Sequence, residues 1–112
     1  MSGNPTRDPP VSPPPPPDVD ACDIPIDHDL EGIDSRVLKQ VVVGDHLAVD
    51  LNQDGYKSVV CRTASGDILG ALSAFSGIGK LINCLEKARR YAVTITELRP
   101  GYCHVRGGLE RS

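Results

Sequence analysis

The stretch "DLNQDGYKSVVC", residues Asp50–Cys61, decides the fold, because it has two incompatible readings. As the opening of a calcium loop, Asp50, Asn52 and Asp54 alternate as oxygen ligands and Gly55 stands at the sharp turn. That pattern needs a bidentate glutamate at its twelfth position, with helices on both sides. Cys61 occupies the twelfth position, a thiol is a poor ligand for a hard cation, and strand patterns flank the loop. As a hairpin, Asp54-Gly55 supplies the positive-φ pair of a two-residue turn. The stretch therefore reads as two strands and their turn, and no metal site is expected.

Working outward, "HLAVDLN" (46–52) alternates Leu47, Val49 and Leu51 against His46, Ala48 and Asp50, the period of a half-buried strand. "YKSVVCRT" (56–63) is its partner, and "SGD" (65–67) turns the chain into "ILGAL" (68–72). Upstream, the β-branched run "VLKQVVV" (37–43) predicts a further strand that ends at Gly44-Asp45. The period then changes. Ile78, Leu81, Ile82, Leu85 and Ala88 follow helical spacing, with Ser76 as the cap and Lys87, Arg89 and Arg90 at the far end. Strand character returns at "YAVTITEL" (91–98) and "YCHVR" (102–106), separated by "RPG". The order β-β-β-β-α-β-β predicts an α+β fold: a small, mostly antiparallel, bent sheet or partly open barrel with one amphipathic helix.

Composition divides the 112-residue chain near residue 35. Eight of ten prolines lie in 1–17, which cannot form helix or sheet ladders and predicts extended polyproline II within a disordered arm. Arg7, Pro10 and Pro13 have the spacing of a polyproline ligand for SH3-type domains. Residues 1–34 carry one Arg against eight acids, whereas 35–112 carry eleven Lys and Arg against seven. The expectation is an acidic arm (1–34) joined to a mildly basic domain (35–112), the arm either lying back on the domain or acting as a linker.

Several classes find no support. No charged-then-apolar leader and no apolar run of membrane-spanning length is present, so a cytoplasmic location is expected. The cysteines, Cys22, Cys61, Cys84 and Cys103, form no CxxC pair, and reduced thiols are expected in that compartment. "AFSGIGKL" (74–81) lacks both the first glycine and the magnesium-binding hydroxyl of a phosphate loop. No nucleophile–histidine spacing carries information, so neither a catalytic residue nor a cofactor is assigned.

One pattern remains. If Val59 and Cys61 face inward, Arg62 faces outward, and the same alternation gathers Tyr102, His104 and Arg106. Together with Lys57 and Arg99 these residues would form a strand-built face of cations and stackable rings, the kind through which small barrels bind single strands. The alternative is the ordinary polar face of an antiparallel sheet.

The runs "VVVGDHLAVDLN", "SVVCRTASGDILGAL" and "KLINCLEKARRYAVTITEL" resemble the HIRAN domain over about residues 37–98. "GDILGAL" (66–72) matches that family's "G..IGYL", with Ala71 in the aromatic position. "NQDGYKSV" (52–59) replaces its "NPYDPNAI", where its binding positions partly fall, so no binding residue is carried over, and Tyr56 and Lys57 are offered only because they occupy the corresponding hairpin. The resemblance implies a small accessory barrel that binds DNA ends or single strands. The expected function is thus a non-catalytic module that binds single-stranded nucleic acid weakly through the basic face, modulated by the acidic arm. The alternative is a protein-interaction adaptor acting through the proline-rich arm or a sheet edge.

Overall fold

The computed structural model describes residues 21–53, 57–73 and 75–110. Six antiparallel strands form one curled sheet: β1 (Ile26–Asp29), β2 (His46–Asn52), β3 (Ser58–Arg62), β4 (Ile68–Leu72), β5 (Tyr91–Arg99) and β6 (Tyr102–Leu109). The helices are α1 (Ser35–Leu38) and α2 (Ile78–Glu86). The spatial order is β1-β6-β5-β2-β3-β4. The expected fold class, a small bent antiparallel sheet with an amphipathic helix, is the one observed.

The hairpin expected over residues 46–63 is present in the β2–β3 register. Asp50 pairs Val60 and Asn52 pairs Ser58, with Val49 and Cys61 both turned into the core. The turn residues Asp54–Tyr56 lie outside the described residues. Asp50 serves this sheet directly, its Oδ2 accepting a hydrogen bond from Arg62 Nε at 2.9 Å.

Two features differ from the sequence expectation. The run 37–43 is not a strand. Asp34 Oδ1 accepts the Arg36 and Val37 amides at 2.9 and 3.4 Å and caps the short helix α1. Only Val37 and Val41 of the run are buried, four residues apart, which is helical spacing. Val42 and Val43 instead sit on a turn closed by Val42 N–H to Asp45 Oδ2.

The missing strand lies within the segment assigned to the arm. β1 pairs β6 with Ile26 opposite Gly107 and Asp29 opposite His104. Cys22, Ile24, Ile26 and Leu30 are all buried, so the folded unit begins before the expected boundary at residue 35. Alternating acids disguised this strand by composition, yet they occupy its outer face while isoleucines enter the core.

The chain then crosses from β6 to β4 and joins the two edges of the sheet. Leu30 N–H donates to Cys103 O, Glu31 and Ala71 exchange backbone hydrogen bonds at 2.8 Å, and Asp34 N–H donates to Leu69 O. Gly70 makes room for this crossing, because a Cβ there would lie 3.0 Å from Glu31 O and 3.1 Å from Leu30 Cβ.

Helix α2 turns Leu81 and Cys84 into the core, with Ile78, Ile82 and Leu85 half-buried. Its N-cap is Gly77 and not Ser76, and no side chain caps it. Cys84 is bonded to Cys22 across a Cα–Cα distance of 5.8 Å. That pair is a disulfide, contrary to the expectation of four reduced thiols; a spacing of 62 residues gave no hint of it. Tyr91 Oη donates to the Cys22 carbonyl, fastening the same segment to β5.

Candidate functional site

The predicted face is assembled only in part. Strand alternation and the β5–β6 register bring Arg99 opposite Tyr102, with His104 and Arg106 further along the same outer surface. Arg62 belongs to β3, separated from β6 by β5 and β2. Three strand spacings of about 4.8 Å put it roughly 14 Å away. Lys57 is ion-paired with Glu86 beside α2, and Tyr56 lies outside the described residues.

The cations that do converge each face a carboxylate. Arg99 Nη2 lies 3.1 Å from Glu97 Oε2, and its guanidinium carbon stands 4.2 Å above the Tyr102 ring. Arg106 Nε is 3.9 Å from Asp27. His104 sits between Asp27 and Asp29, at 2.5 Å from Nε2 and 2.6 Å from Nδ1. An imidazole that faces a carboxylate on each nitrogen can donate to both only as the cation, so these contacts favour the protonated ring.

The titrations of this cluster follow from those contacts. The hydrogen bond with Asp29, then that with Asp27, raises His104 above its usual range. The same bonds from His104 lower both carboxyls, helped at Asp29 by Tyr102. Tyr102 is raised, first by its hydrogen bond with Asp29.

β1 thus supplies two carboxylates that sequence reading placed outside the domain. Charge bookkeeping changes with it. Residues 21–110 carry ten Lys and Arg against twelve Asp and Glu, a net of −2. The mildly basic body existed only while the chain was divided at residue 35.

Other groups are spent on structure. Cys61 and Cys103 are free thiols buried in the core; burial pushes Cys61 up to about 12 and Cys103 up to about 11, so neither is a ready nucleophile. His46 Nδ1 shares a hydrogen bond with Thr94 Oγ1 at 2.9 Å, and His28 stacks on Phe75 with ring centroids 4.3 Å apart. Among the described residues no group of three or more His, Cys, Asp or Glu side chains is arranged to hold a metal ion, and no helix is long and apolar enough to cross a membrane.

No family model, curated protein or solved structure matches the chain.

Proposed function

We propose that the chain is a non-catalytic protein-interaction module in which the barrel is a folded base and the proline-rich segment 1–17 is the docking element. The observation that carries this reading is the junction of the two sheet edges. Strand addition needs a row of unpaired backbone groups. On β4, Ala71 N–H, Ala71 O and Leu69 O are already bonded to Glu31 and Asp34. At the other edge β1 offers four residues, and Phe75 stacks over His28 there. Docking through the arm needs no such edge. The Arg7, Pro10, Pro13 spacing suits an aromatic groove that recognises polyproline, a preformed conformation that costs little ordering entropy.

The test is capture of polyproline-recognising domains by the immobilised full chain. Loss of capture in the Pro10→Ala, Pro13→Ala double variant is expected; equal capture by both proteins sinks the reading.

Weak single-strand binding is the second reading. The Arg99–Tyr102 pair favours it, because a ring and a cation share one strand pair as stacking sites do. The net charge of −2 over residues 21–110 and the Asp27 and Asp29 carboxylates act against it. Filter binding of a thymidine oligonucleotide at two salt concentrations separates the two readings.

A further inference from the structure

A second site shares no residue with the Arg99, Tyr102, His104 and Arg106 cluster. A cleft of about 420 Å³ opens between β2, β3 and the turn from α2 into β5. Arg62, Arg89 and Arg90 line it together with the half-buried Leu51 and Leu85, and Asp50 and Glu110 stand among them.

Two of these arginines are available to a ligand in a defined way. Arg62 is held by Nε to Asp50 Oδ2 at 2.9 Å and by Nη1 to Gly66 O at 3.0 Å. Among the described residues its Nη2 makes no further hydrogen bond. An oriented guanidinium with a free terminal nitrogen loses little freedom on binding a carboxylate. Arg90 is exposed and forms no ion pair among the described residues.

The turn that presents Arg90 is itself strained. Ala88 has φ +66°, its N–H donates to Leu85 O, and the Arg89 N–H donates to Cys84 O at 3.2 Å. This is the helix ending in which glycine is usual. Alanine in that position, next to a helix stapled at Cys84, narrows the directions in which Arg89 and Arg90 leave α2.

We propose that this cleft docks an acidic peptide segment of a partner protein, a carboxylate-bearing residue beside an apolar one. Arg62 Nη2 and Arg90 take the carboxylate, and Leu51 and Leu85 take the neighbouring apolar side chain. Backbone chemistry favours a peptide over a nucleic acid: the exposed Glu110 can accept a peptide N–H, a donor that a sugar–phosphate backbone lacks. The ring lining the cleft, Tyr91, is 1% exposed and offers no face on which a base could stack. This site goes beyond the arm-docking reading and survives its failure.

The experiment is a two-dimensional NMR titration of the nitrogen-15-labelled full chain with an N-acetylated, C-amidated Leu-Asp-Leu-Asp peptide. Its Leu-Asn-Leu-Asn counterpart and a four-nucleotide thymidine oligonucleotide are the controls. Saturable shifts are expected at Leu51, Arg62 and residues 88–90, with at least threefold weaker binding of the asparagine peptide. Arg90→Glu should weaken binding at least fivefold with the spectrum otherwise native, while the Pro10→Ala, Pro13→Ala variant binds as wild type. Equal binding of the two peptides, tighter binding of the oligonucleotide, or indifference to Arg90→Glu each overturns the proposal.

Discussion

His104 Nε2 lies 2.5 Å from Asp27 Oδ1, so β6 grips a carboxylate on β1. The other ring nitrogen grips Asp29, and the groups facing the ring are completed by Tyr102 and Arg106 on β6 and Glu97 and Arg99 on β5. His104 has a folded-state pKa above its ordinary 6.5. Its stabilisation is therefore complete below about 6.5 and fades as pH rises through the higher folded value. The carboxyls carry the opposite sign: both are lowered from 3.8, so their share is complete above that value and is lost as pH falls through the lowered ones. NMR titration should give a His104 midpoint above 6.5, and amide exchange in β1 should accelerate on the alkaline side. In His104→Gln that pH dependence should vanish. An unshifted midpoint would remove the clamp.

Loss of the clamp should loosen β1 without releasing it. Its carboxylates are more than half exposed, where solvent screens ion pairs, while burying a side chain such as the fully enclosed Ile26 contributes about 1.5–3 kcal/mol. Ile26→Ala should therefore cost about 2–5 kcal/mol in urea denaturation, more than Asp27→Asn.

The disulfide gives a thiol-counting prediction. Native protein should be almost unreactive, because Cys61 and Cys103 are buried with raised pKa values. Denatured, unreduced protein should show two thiols, and reduction should raise the count to four. Closing a loop between residues 62 apart stabilises by about 4 kcal/mol in the chain-entropy model. Cys22→Ser with Cys84→Ser should lower unfolding stability by an amount approaching that, and reductant should then have no further effect. A disulfide also fits an oxidising environment better than a reducing one.

How much of this was legible depended on whether periodicity or composition was the guide. Where apolar residues kept a clean period, as in Leu47-Val49-Leu51 or Ile78-Leu81-Ile82-Leu85, strands β2 to β6 and helix α2 were readable. β1 was hidden because "IDHD" has the alternation of a strand and the composition of a linker, and only pairing with His104 and Arg106 accounts for its acids. The valines of 37–43 misled in the opposite sense: β-branched residues favour strands, but the Asp34 cap and the burial of Val37 and Val41 alone made a helix and a turn. At the candidate face, outward direction could be read from alternation. The carboxylate opposite each cation could not, because those partners come from other strands.

Two backbone positions separate strain from steric need. Ala88 occupies the left-handed region at the end of α2, so Ala88→Gly should raise stability by about 0.5–1 kcal/mol in denaturant titration. Gly107 is the reverse case. A Cβ there would overlap the Ala92 carbonyl oxygen and approach Val93 Cα to 2.7 Å, both backbone atoms of the paired strand. Gly107→Ala should cost about 1–3 kcal/mol and weaken the β5–β6 register.

The boundary of the folded unit can be tested by truncation. Removing residues 1–34 deletes Cys22 of the disulfide and the buried Ile24, Ile26 and Leu30, along with the amides that hold β4. At about 1.5–3 kcal/mol for each buried side chain, plus the disulfide, the loss is comparable to the about 5–15 kcal/mol that holds a domain together. That truncation should yield an unfolded or aggregated protein by circular dichroism. Removing residues 1–20 leaves all of those contacts in place and should preserve a cooperative melt. The shorter truncation is therefore the one to use for comparing the chain with and without its proline-rich segment. An unfolded 21–112 fragment would show that the barrel depends on residues upstream of Cys22.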